Sequence, residues 1–319
     1  MTCVAVVDIG TNSTRLLVAD VSPSGTVSTL VRRSTVTRLG AGVDASGSLS
    51  SEAIDRVFRA LDDYSEEINS HNCTSNLAVL TSAVRDAAYG AEFAERIRRE
   101  YSLDARVLTG EEEAQLTFLG AMHDRAFSSE PTVVIDIGGG STEFIVGHDS
   151  SAGFHVSLPA GVVRMSERHI HSDPPAPSEL QNLARDTRAV FLDGLAPEQR
   201  APVTHGIAVA GTATSAASID QELDPYDPAR VQGYPLQLAT VELLLARLAD
   251  MDESQRRSVV GLHPDRAPTI VAGMILLSEA LRAFELDCVE VSEHDILFGG
   301  ALRLAGAGGG SQARFDLRG

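Results

Sequence analysis

The stretch DIGTNSTRLLV, residues 8–18, returns in altered form as DIGGGSTEFIV at residues 136–146. Aligned on their aspartates, the two segments share Asp, Ile, Gly, Ser, Thr and the final Val, but the first has Arg15 where the second has Glu143. In each, an apolar run leads into a turn rich in Gly, Asn or Ser, and a second apolar run follows. This pattern predicts a hairpin of two strands. Two such hairpins in one chain predict a fold built from two similar halves.

Each hairpin opens a longer series of predicted elements in the same order. In the first half, periodicity and turn residues predict three strands, a helix, a strand, a helix, a short strand and a helix. These segments are VAVVDIG, TRLLVADV, TVSTLVRRSTVTRL, residues 51–69, 76–82 and 91–101, ARVLT and GEEEAQLTFLGAMHD. The second half starts with three strands in TVVIDIG, STEFIVG and GFHVSLPAG. After them we predict helices near 178–194, 265–284 and 295–305, and strands at 206–212 and DCVEVS.

The repeat divides the chain into two α/β domains. We predict an N-terminal domain at residues 1–126, a C-terminal domain at 127–305 and a disordered, glycine-rich tail at 306–319. The expected linker is the segment 124–131, DRAFSSEP, because it is polar and contains Pro131. A chain of 319 residues is long enough for two cores of this size.

Composition excludes several classes of protein. The hydrophobic share of 43% and the charged share of 22% are typical of a soluble globular protein, and no apolar run approaches the ~18 residues that span a bilayer. The first residues, MTCVAVVDIG, lack the features of a signal peptide, so a cytoplasmic location is expected. A net charge of −18 argues against nucleic acid as a partner. The three cysteines are too widely spaced for a disulfide framework or a zinc site.

The chain contains no lysine, so every fixed positive charge is an arginine. Phosphate groups would therefore be bound by guanidinium groups, by metal ions or by backbone N–H groups. A Gly/Ser turn between two strands exposes several backbone N–H groups in a small concavity, which can bind phosphate oxygens. Two such turns at the heads of two similar halves predict one anion site where the halves face each other.

Carboxylates in these hairpins predict a metal site. Asp136 ends the strand before the second turn and Glu143 lies across the same hairpin, so both could bind one ion. One or two carboxylates together with substrate phosphate are the ligands that Mg²⁺ prefers, and Mn²⁺ is an alternative. Asp8 is the third candidate ligand, although Arg15 across its hairpin could pair with it instead. For both aspartates the structural alternative is an Asx-type hydrogen bond to their own turn.

Five motifs together resemble one known family. They are DIGTNSTRLLV, TSAVRDA at 81–87, GEEEA at 110–114, DIGGGSTEF at 136–144 and GTATSAAS at 211–218. From about residue 4 to 300 the chain resembles the exopolyphosphatase/guanosine pentaphosphate phosphohydrolase (Ppx/GppA) family in its short form, within the actin/hexokinase/Hsp70 superfamily. The resemblance implies an α/β fold of two ribonuclease H-like (actin-like ATPase) domains, each with a mixed five-stranded sheet flanked by helices, and a cleft between them. It also implies a homodimer.

The resemblance assigns roles that the residues alone leave open. Glu113 would activate the attacking water, whereas spacing cannot choose among Glu111, Glu112 and Glu113, since acids at a helix start also suit the helix dipole. Arg85 would clamp phosphate, where its context alone suggests a solvent-facing side chain. The groups that would hold phosphoryl oxygens are Asn12, Ser13, Arg15, Gly138, Gly139, Gly140, Ser141 and Thr212. For Thr212, a plain connection from strand to helix is the alternative.

This chain departs from the family pattern in two segments. An Arg-Ala-Asp run is replaced by DRAP, which contains Arg266, and a Gly-Leu-Arg-Glu-Gly type run is replaced by HDILFGG, which has no arginine. These changes leave the preferred chain length and nucleotide preference open. Arg164 and Arg168, in LPAGVVRMSER, are candidates for an extended phosphate path or, alternatively, belong to a surface helix face.

The expected function is metal-dependent hydrolysis of terminal phosphate from inorganic polyphosphate. One alternative is removal of the 5′-terminal phosphate from guanosine pentaphosphate. A kinase that transfers the γ-phosphate of ATP is a second, and the GEEEA and TSAVR motifs argue against it. A non-catalytic sensor that binds polyphosphate or alarmone is a third, and the combination of Glu113, Asp136 and Glu143 argues against it. Neither nucleic acid nor a membrane is an expected partner.

Overall fold

The structure is a computed structural model that describes residues 1–125, 130–148 and 151–306. It contains two halves, each a β-sheet with helices packed against it. Among the described residues, no helix combines the length and apolar character that a membrane span requires. Part of the predicted linker and nearly all of the predicted tail lie outside the described residues.

The first half follows the predicted order of elements, with two short helices added. Its elements are β1 (Thr2–Ile9), β2 (Ser13–Val21), β3 (Val27–Val36), α1 (Val43–Ser46), α2 (Ser51–Ser70), β4 (Ser75–Leu80), α3 (Ser82–Asp86), α4 (Gly90–Tyr101), β5 (Ala105–Val107) and α5 (Gly110–Ala121). Helix α2 illustrates the physical basis of the prediction. Ser50 caps it by accepting a hydrogen bond from the Ala53 N–H, and Val57 and Leu61 bury its apolar face in the first core.

The first sheet has the strand order β3-β2-β1-β4-β5. Strand β1 pairs antiparallel with β2 and parallel with β4, so it lies at the centre of the sheet. Its last six residues, from Val4 to Ile9, are all buried, because helices cover both faces of the sheet. The carboxyl end of β1, where Asp8 lies, therefore opens toward the other half rather than toward solvent.

The second half repeats this arrangement. Its elements are β6 (Thr132–Ile137), β7 (Thr142–His148), β8 (Ser151–Leu158), α6 (Val162–His169), α7 (Pro177–Gly194), α8 (Pro197–Arg200), β9 (His205–Val209), α9 (Ala210–Asp220), α10 (Pro228–Val231), β10 (Tyr234–Gln237), α11 (Leu238–Ala249), α12 (Glu253–Arg256), α13 (Ile270–Ala283), β11 (Cys288–Val291) and α14 (Ile296–Leu304). The strand predicted at 206–212 ends at Val209, where α9 begins. The helix predicted at 265–284 begins only at Ile270, because Pro264 and Pro268 disfavour helix before it.

The second sheet has six strands, in the order β10-β11-β9-β6-β7-β8. The prediction of five strands is therefore correct for the first sheet and wrong for the second. The additional strand, β10, has only four residues and contains Pro235, so its sequence does not resemble a strand. Proline is tolerated there because β10 lies at the edge of the sheet and pairs only with β11.

Helices α5 and α14 cross between the two sheets. Phe118 of α5 packs against Val134 and Ile145 of the second sheet. Helix α14 lies in the segment predicted as the C-terminal domain, yet Leu297 and its neighbours pack against Val4 and the rest of the first sheet. The two halves thus share these helices, and the predicted domain boundaries remain a prediction.

The helix crossing depends on glycine, and this leads to a stability prediction. A Cβ atom at Gly120 would lie 1.9 Å from the carbonyl oxygen of Asp295, and one at Gly299 would lie 1.8 Å from that of Leu116. We expect Gly120→Ala to lower the free energy of unfolding by about 1–3 kcal/mol, although alanine favours helix intrinsically. Thermal and denaturant unfolding measure the change. The control is Gly110→Ala, whose Cβ would make an ordinary 3.4 Å contact. Equal stability of the two variants would contradict the close contact of α5 with α14 at Gly120.

Candidate active site

A cavity of about 80 Å³ lies between the two halves, at the carboxyl ends of β1 and β6. Both strands are central in their sheets, so the turns that follow them face each other across the cavity. Every predicted site residue except Arg85 lines it: Asp8, Asn12, Ser13, Arg15, Glu113, Asp136, Gly138, Gly139, Gly140, Ser141, Glu143 and Thr212. The fold thus brings together groups from both hairpins and from two helix starts.

The two turns share one internal geometry. Gly10 donates its backbone N–H to the carbonyl of Ser13 at 3.0 Å, and Gly138 donates to Ser141 at the same distance. The two DIG segments therefore build one structural motif twice. The residues between the bonded pairs border the cavity on both sides, as a nest of backbone N–H groups for an anion requires.

The second turn packs directly on the first half. A Cβ atom at Gly139 would lie 2.9 Å from the backbone nitrogen of Asn12, and one at Gly140 would lie 2.5 Å from Oγ of Ser82. Gly139 therefore requires glycine, because a side chain there would meet the backbone of the first turn, and a side chain at Gly140 would have to displace the Ser82 hydroxyl. The close approach of the turns explains why the cavity is small.

Asp136 and Glu143 are direct partners across the β6–β7 hairpin, so their side chains lie on the same face of the sheet. Both are buried, and Glu143 accepts a hydrogen bond of 2.7 Å from the Ser157 hydroxyl. Burial raises the pKa of Asp136 to about 8, with Arg15 opposing the shift and nearby acids adding to it. Burial, together with the charges of Glu113 and Asp136, raises the pKa of Glu143 well above its usual range. The positive charge around the two carboxyl groups is thus too small to offset their burial and their mutual repulsion.

Asp8 and Arg15 form an ion pair across the first hairpin. Nε and Nη2 of Arg15 donate to Oδ2 of Asp8 at 2.9 and 2.6 Å, and Nη1 donates to Asp295. Burial raises the pKa of Asp8 more than Arg15 lowers it. Burial would also raise the pKa of Asp295, but Arg15 and Arg32 outweigh it and the pKa falls below its usual range. In the structure Asp8 therefore pairs with Arg15, which is the alternative to metal binding. A role of Asp8 as a metal ligand remains a prediction.

The structure separates the three glutamates of GEEEA, which spacing could not do. Glu112 forms a capping box with Thr109, whose N–H it accepts at 2.8 Å. Glu111 is exposed to solvent. Glu113 alone is buried, 7% exposed, and lines the cavity.

Arg85 lies behind Glu113 instead of lining the cavity. Its Nη1 donates to Oε2 of Glu113 at 2.8 Å and to the carbonyl of Leu108 at 3.0 Å. Burial raises the pKa of Glu113, and Arg85 opposes that shift without cancelling it. In this geometry Arg85 orients the carboxylate, and its predicted phosphate contact remains a prediction.

Three lining or neighbouring residues were missed from the sequence. Asp295 was passed over because HDILFGG was interpreted only as a segment lacking arginine. Arg266 lines the cavity and forms no ion pair within the described parts of the chain, and burial followed by repulsion from Arg15 lowers its pKa. Its guanidinium lies over Gly211 at the start of α9, beside Thr212. The third residue, Ser82, is buried at the cavity, and its hydroxyl has no hydrogen-bond partner among the described residues.

The donor set fits a hard divalent cation that is bound partly through substrate. Asp136 and Glu143 supply carboxylate oxygens from one face, and their raised pKa values indicate a site that a cation would stabilise. Across residues 1–125, 130–148 and 151–306, no three or more His, Cys, Asp or Glu side chains are placed to hold a metal by themselves. Two carboxylates completed by phosphate and water therefore fit better than an all-protein site.

Comparisons with known proteins agree with this geometry. The model of the Ppx/GppA phosphatase family matches residues 5–301. Exopolyphosphatase 2 of Mycobacterium tuberculosis is 37% identical, over 96% of this chain and 99% of its own length. A Ppx/GppA family member from Aquifex aeolicus superposes with a TM-score of 0.81 at 28% identity, covering 97% of this chain and 99% of that one. An exopolyphosphatase from Cytophaga hutchinsonii gives 0.84 at 26% identity, covering 96% and 98%.

Proposed function

The chain belongs to the Ppx/GppA phosphatase family and is a hydrolase with two actin-like halves, and we propose on this basis that it is an exopolyphosphatase. It would release terminal orthophosphate from inorganic polyphosphate. The observation that carries the proposal is that a buried glutamate, two turns rich in glycine and serine, and a pair of carboxylates line one cavity. The similarity to exopolyphosphatase 2 of Mycobacterium tuberculosis supports the same substrate class.

The proposed reaction follows from the position of each group. Glu113 accepts a proton from water, the water oxygen bonds to the terminal phosphorus, and the bond from that phosphorus to the bridging oxygen breaks. The shortened chain leaves with the bridging oxygen as an anion. Backbone N–H groups of both turns, with Arg15 and Arg266, bind the phosphoryl oxygens as charge develops on them. Arg85 holds Glu113 in place and opposes the rise of its pKa by burial, which favours the deprotonated carboxylate that a base requires.

We propose that Mg²⁺, or Mn²⁺ in its place, is held by Asp136 and Glu143. When bound, the ion would offset the negative charge of the phosphate oxygens. Asp8 contributes indirectly in this proposal, because it fixes the guanidinium of Arg15 at the edge of the cavity. A homodimer accompanies the proposal as an expectation from the family, and a cytoplasmic location as an expectation from the sequence.

A second cavity favours one alternative substrate, guanosine pentaphosphate. A space of about 310 Å³ adjoins the first cavity, with which it shares Arg15, Gly211 and Arg266 in its lining. Tyr226, 46% exposed, lies on its wall. This volume is at the lower end of those that hold small organic ligands, and an aromatic ring can stack on a base. A nucleoside could therefore occupy it while its terminal phosphate lies beside Glu113.

Phosphate release with Mg²⁺ from long polyphosphate, short polyphosphate, guanosine pentaphosphate and ATP tests the proposal. We expect kcat/KM for polyphosphate to exceed that for guanosine pentaphosphate by at least about tenfold. The reverse order would make the nucleotide the substrate, and Tyr226→Ala should then lower its kcat/KM while leaving polyphosphate hydrolysis unchanged. A wild-type protein that binds these anions yet releases no phosphate would be a sensor.

A further inference from the structure

A group of charged residues joins the two halves beside the cavity without lining it. This cross-cleft cluster consists of Asp44 and Asp86 from the first half and Arg164, Glu167 and Arg168 from α6 of the second. For Arg164 and Arg168 the sequence leaves two alternatives open, a phosphate path and a surface helix face. In the structure both guanidinium groups pair with carboxylates of the first half, and Arg164 is 15% exposed whereas Arg168 is 47% exposed.

Arg164 is the centre of the cluster. Its Nε donates to the carbonyl of Gly140 at 2.8 Å, its Nη2 donates to Asp86 at 2.9 Å, and its Nη1 donates to Asp44. The side chain is only 15% exposed. One planar guanidinium therefore links the second phosphate-binding turn to two points of the opposite half, which only arginine can do.

The backbone at the start of α6 adds to this link. The N–H groups of Val162 and Val163 donate to the carbonyls of Gly138 and Gly139 at 2.9 and 2.8 Å. Helix α6 and the second turn thus form one unit, and Arg164 fixes that unit to α1 and to the end of α3. Asp86 also follows Arg85, the residue that holds Glu113.

Two further contacts strengthen the same junction. Arg168 donates to Asp44 at 2.6 Å, and Glu167 accepts the backbone N–H of Gly42 at 3.2 Å. Burial would raise the pKa of Asp44, but Arg168 and Arg164 outweigh it and lower the pKa. Asp44 is therefore ionised at neutral pH and bound to both arginines.

We propose that Arg164 is a positioning residue for phosphate hydrolysis. It holds the turn of Gly138, Gly139 and Gly140 in its anion-binding geometry against the first half, and it acts through Gly140 without touching the substrate. The choice of polyphosphate as substrate rests on the proposed function. The effect of Arg164 on the geometry of the turn does not depend on it. Because the turn binds phosphate before and during the reaction, loss of Arg164 weakens substrate binding more than it slows the chemical step.

The test compares Arg164→Met, which keeps the apolar stem and removes all three donors, with Asp44→Ala/Asp86→Ala, which removes both acceptors on the other side. We expect Arg164→Met to raise KM about tenfold, with a smaller fall in kcat, and Arg164→Lys to be intermediate. Partial unfolding would instead lower apparent kcat and leave KM unchanged. The control is Arg185→Met, since Arg185 is 71% exposed and, within the described parts of the chain, pairs only with its neighbour Asp186.

Hydrogen exchange without substrate provides a second readout. The amides of Val162, Val163 and Arg164 should exchange faster in Arg164→Met and in the double variant than in wild type. A KM within twofold of wild type in both variants, or unchanged exchange at these amides, overturns the proposal. If Arg164→Met does not fold, the double variant alone decides. A wrong substrate assignment would change the assay for all proteins alike and would leave the exchange comparison valid.

Discussion

Replacing Glu113 by glutamine is expected to lower kcat for phosphate release by about 10²–10⁴-fold, the usual contribution of a general base. Glutamine has the same shape, but it cannot accept the proton of the attacking water. Substrate binding should change little, because the turns and the arginines that bind phosphate remain in place. Steady-state phosphate release gives kcat, and titration calorimetry with polyphosphate in the presence of Mg²⁺ gives the binding constant.

The chain contains a matched control two residues earlier on the same helix. Glu111→Gln makes the identical chemical change at an exposed position outside the cavity, so it should keep wild-type kcat. Both variants remove one negative charge from the first turn of α5, which cancels any effect of the helix dipole. If Glu113→Gln keeps full activity, the base lies elsewhere, and Asp8 and Asp136 would be the next carboxylates to consider.

The repeated DIG segment made the fold and most of the site predictable. Hairpin pattern, strand order and turn chemistry are local properties, and they are sufficient to expect that Asp8 and Asp136 end facing strands. The choice of Glu113 over Glu111 came only from family resemblance, because helix periodicity does not say which residue of a first turn points into a cleft. Burial and the capping box at Glu112 now distinguish them.

The parts that were not predicted depend on contacts between distant segments. Asp295 is 280 positions from its partner Arg15, and Asp44 is 120 positions from Arg164. Neither pairing has a local signal, since each acid could equally face solvent. The sequence identified Arg266 only as a departure from a family pattern. Sequence alone does not predict that an arginine will be buried without an ion pair, as Arg266 is among the described residues. Strand β10 was missed because edge position, not composition, permits its proline.

Replacing Asp136 by asparagine is expected to remove activity and yet stabilise the metal-free protein at alkaline pH. Burial raises the folded-state pKa of Asp136 to about 8, whereas an unfolded aspartate titrates near 3.9. Between these values the folded state holds a proton that the unfolded state has lost. The protonated Asp136 side chain therefore adds its full share to the free energy of unfolding below about pH 4. That share falls as pH rises toward 8, by up to about 1.4 kcal/mol per pH unit.

Asparagine does not ionise, so the variant lacks this loss, and at about pH 8 it should exceed wild type in free energy of unfolding by at least ~1 kcal/mol. Its kcat should fall at least about 100-fold, because a ligand to the cation is missing. Added Mg²⁺ should raise the Tm of wild type more at about pH 8 than at about pH 6, since the ion binds the deprotonated carboxylate, and should not raise that of the variant. Asp193→Asn, an exposed site, is the control. An Asp136→Asn protein that is less stable than wild type at alkaline pH would contradict the raised pKa of Asp136, and one that keeps its full response to Mg²⁺ would contradict its role as a metal ligand.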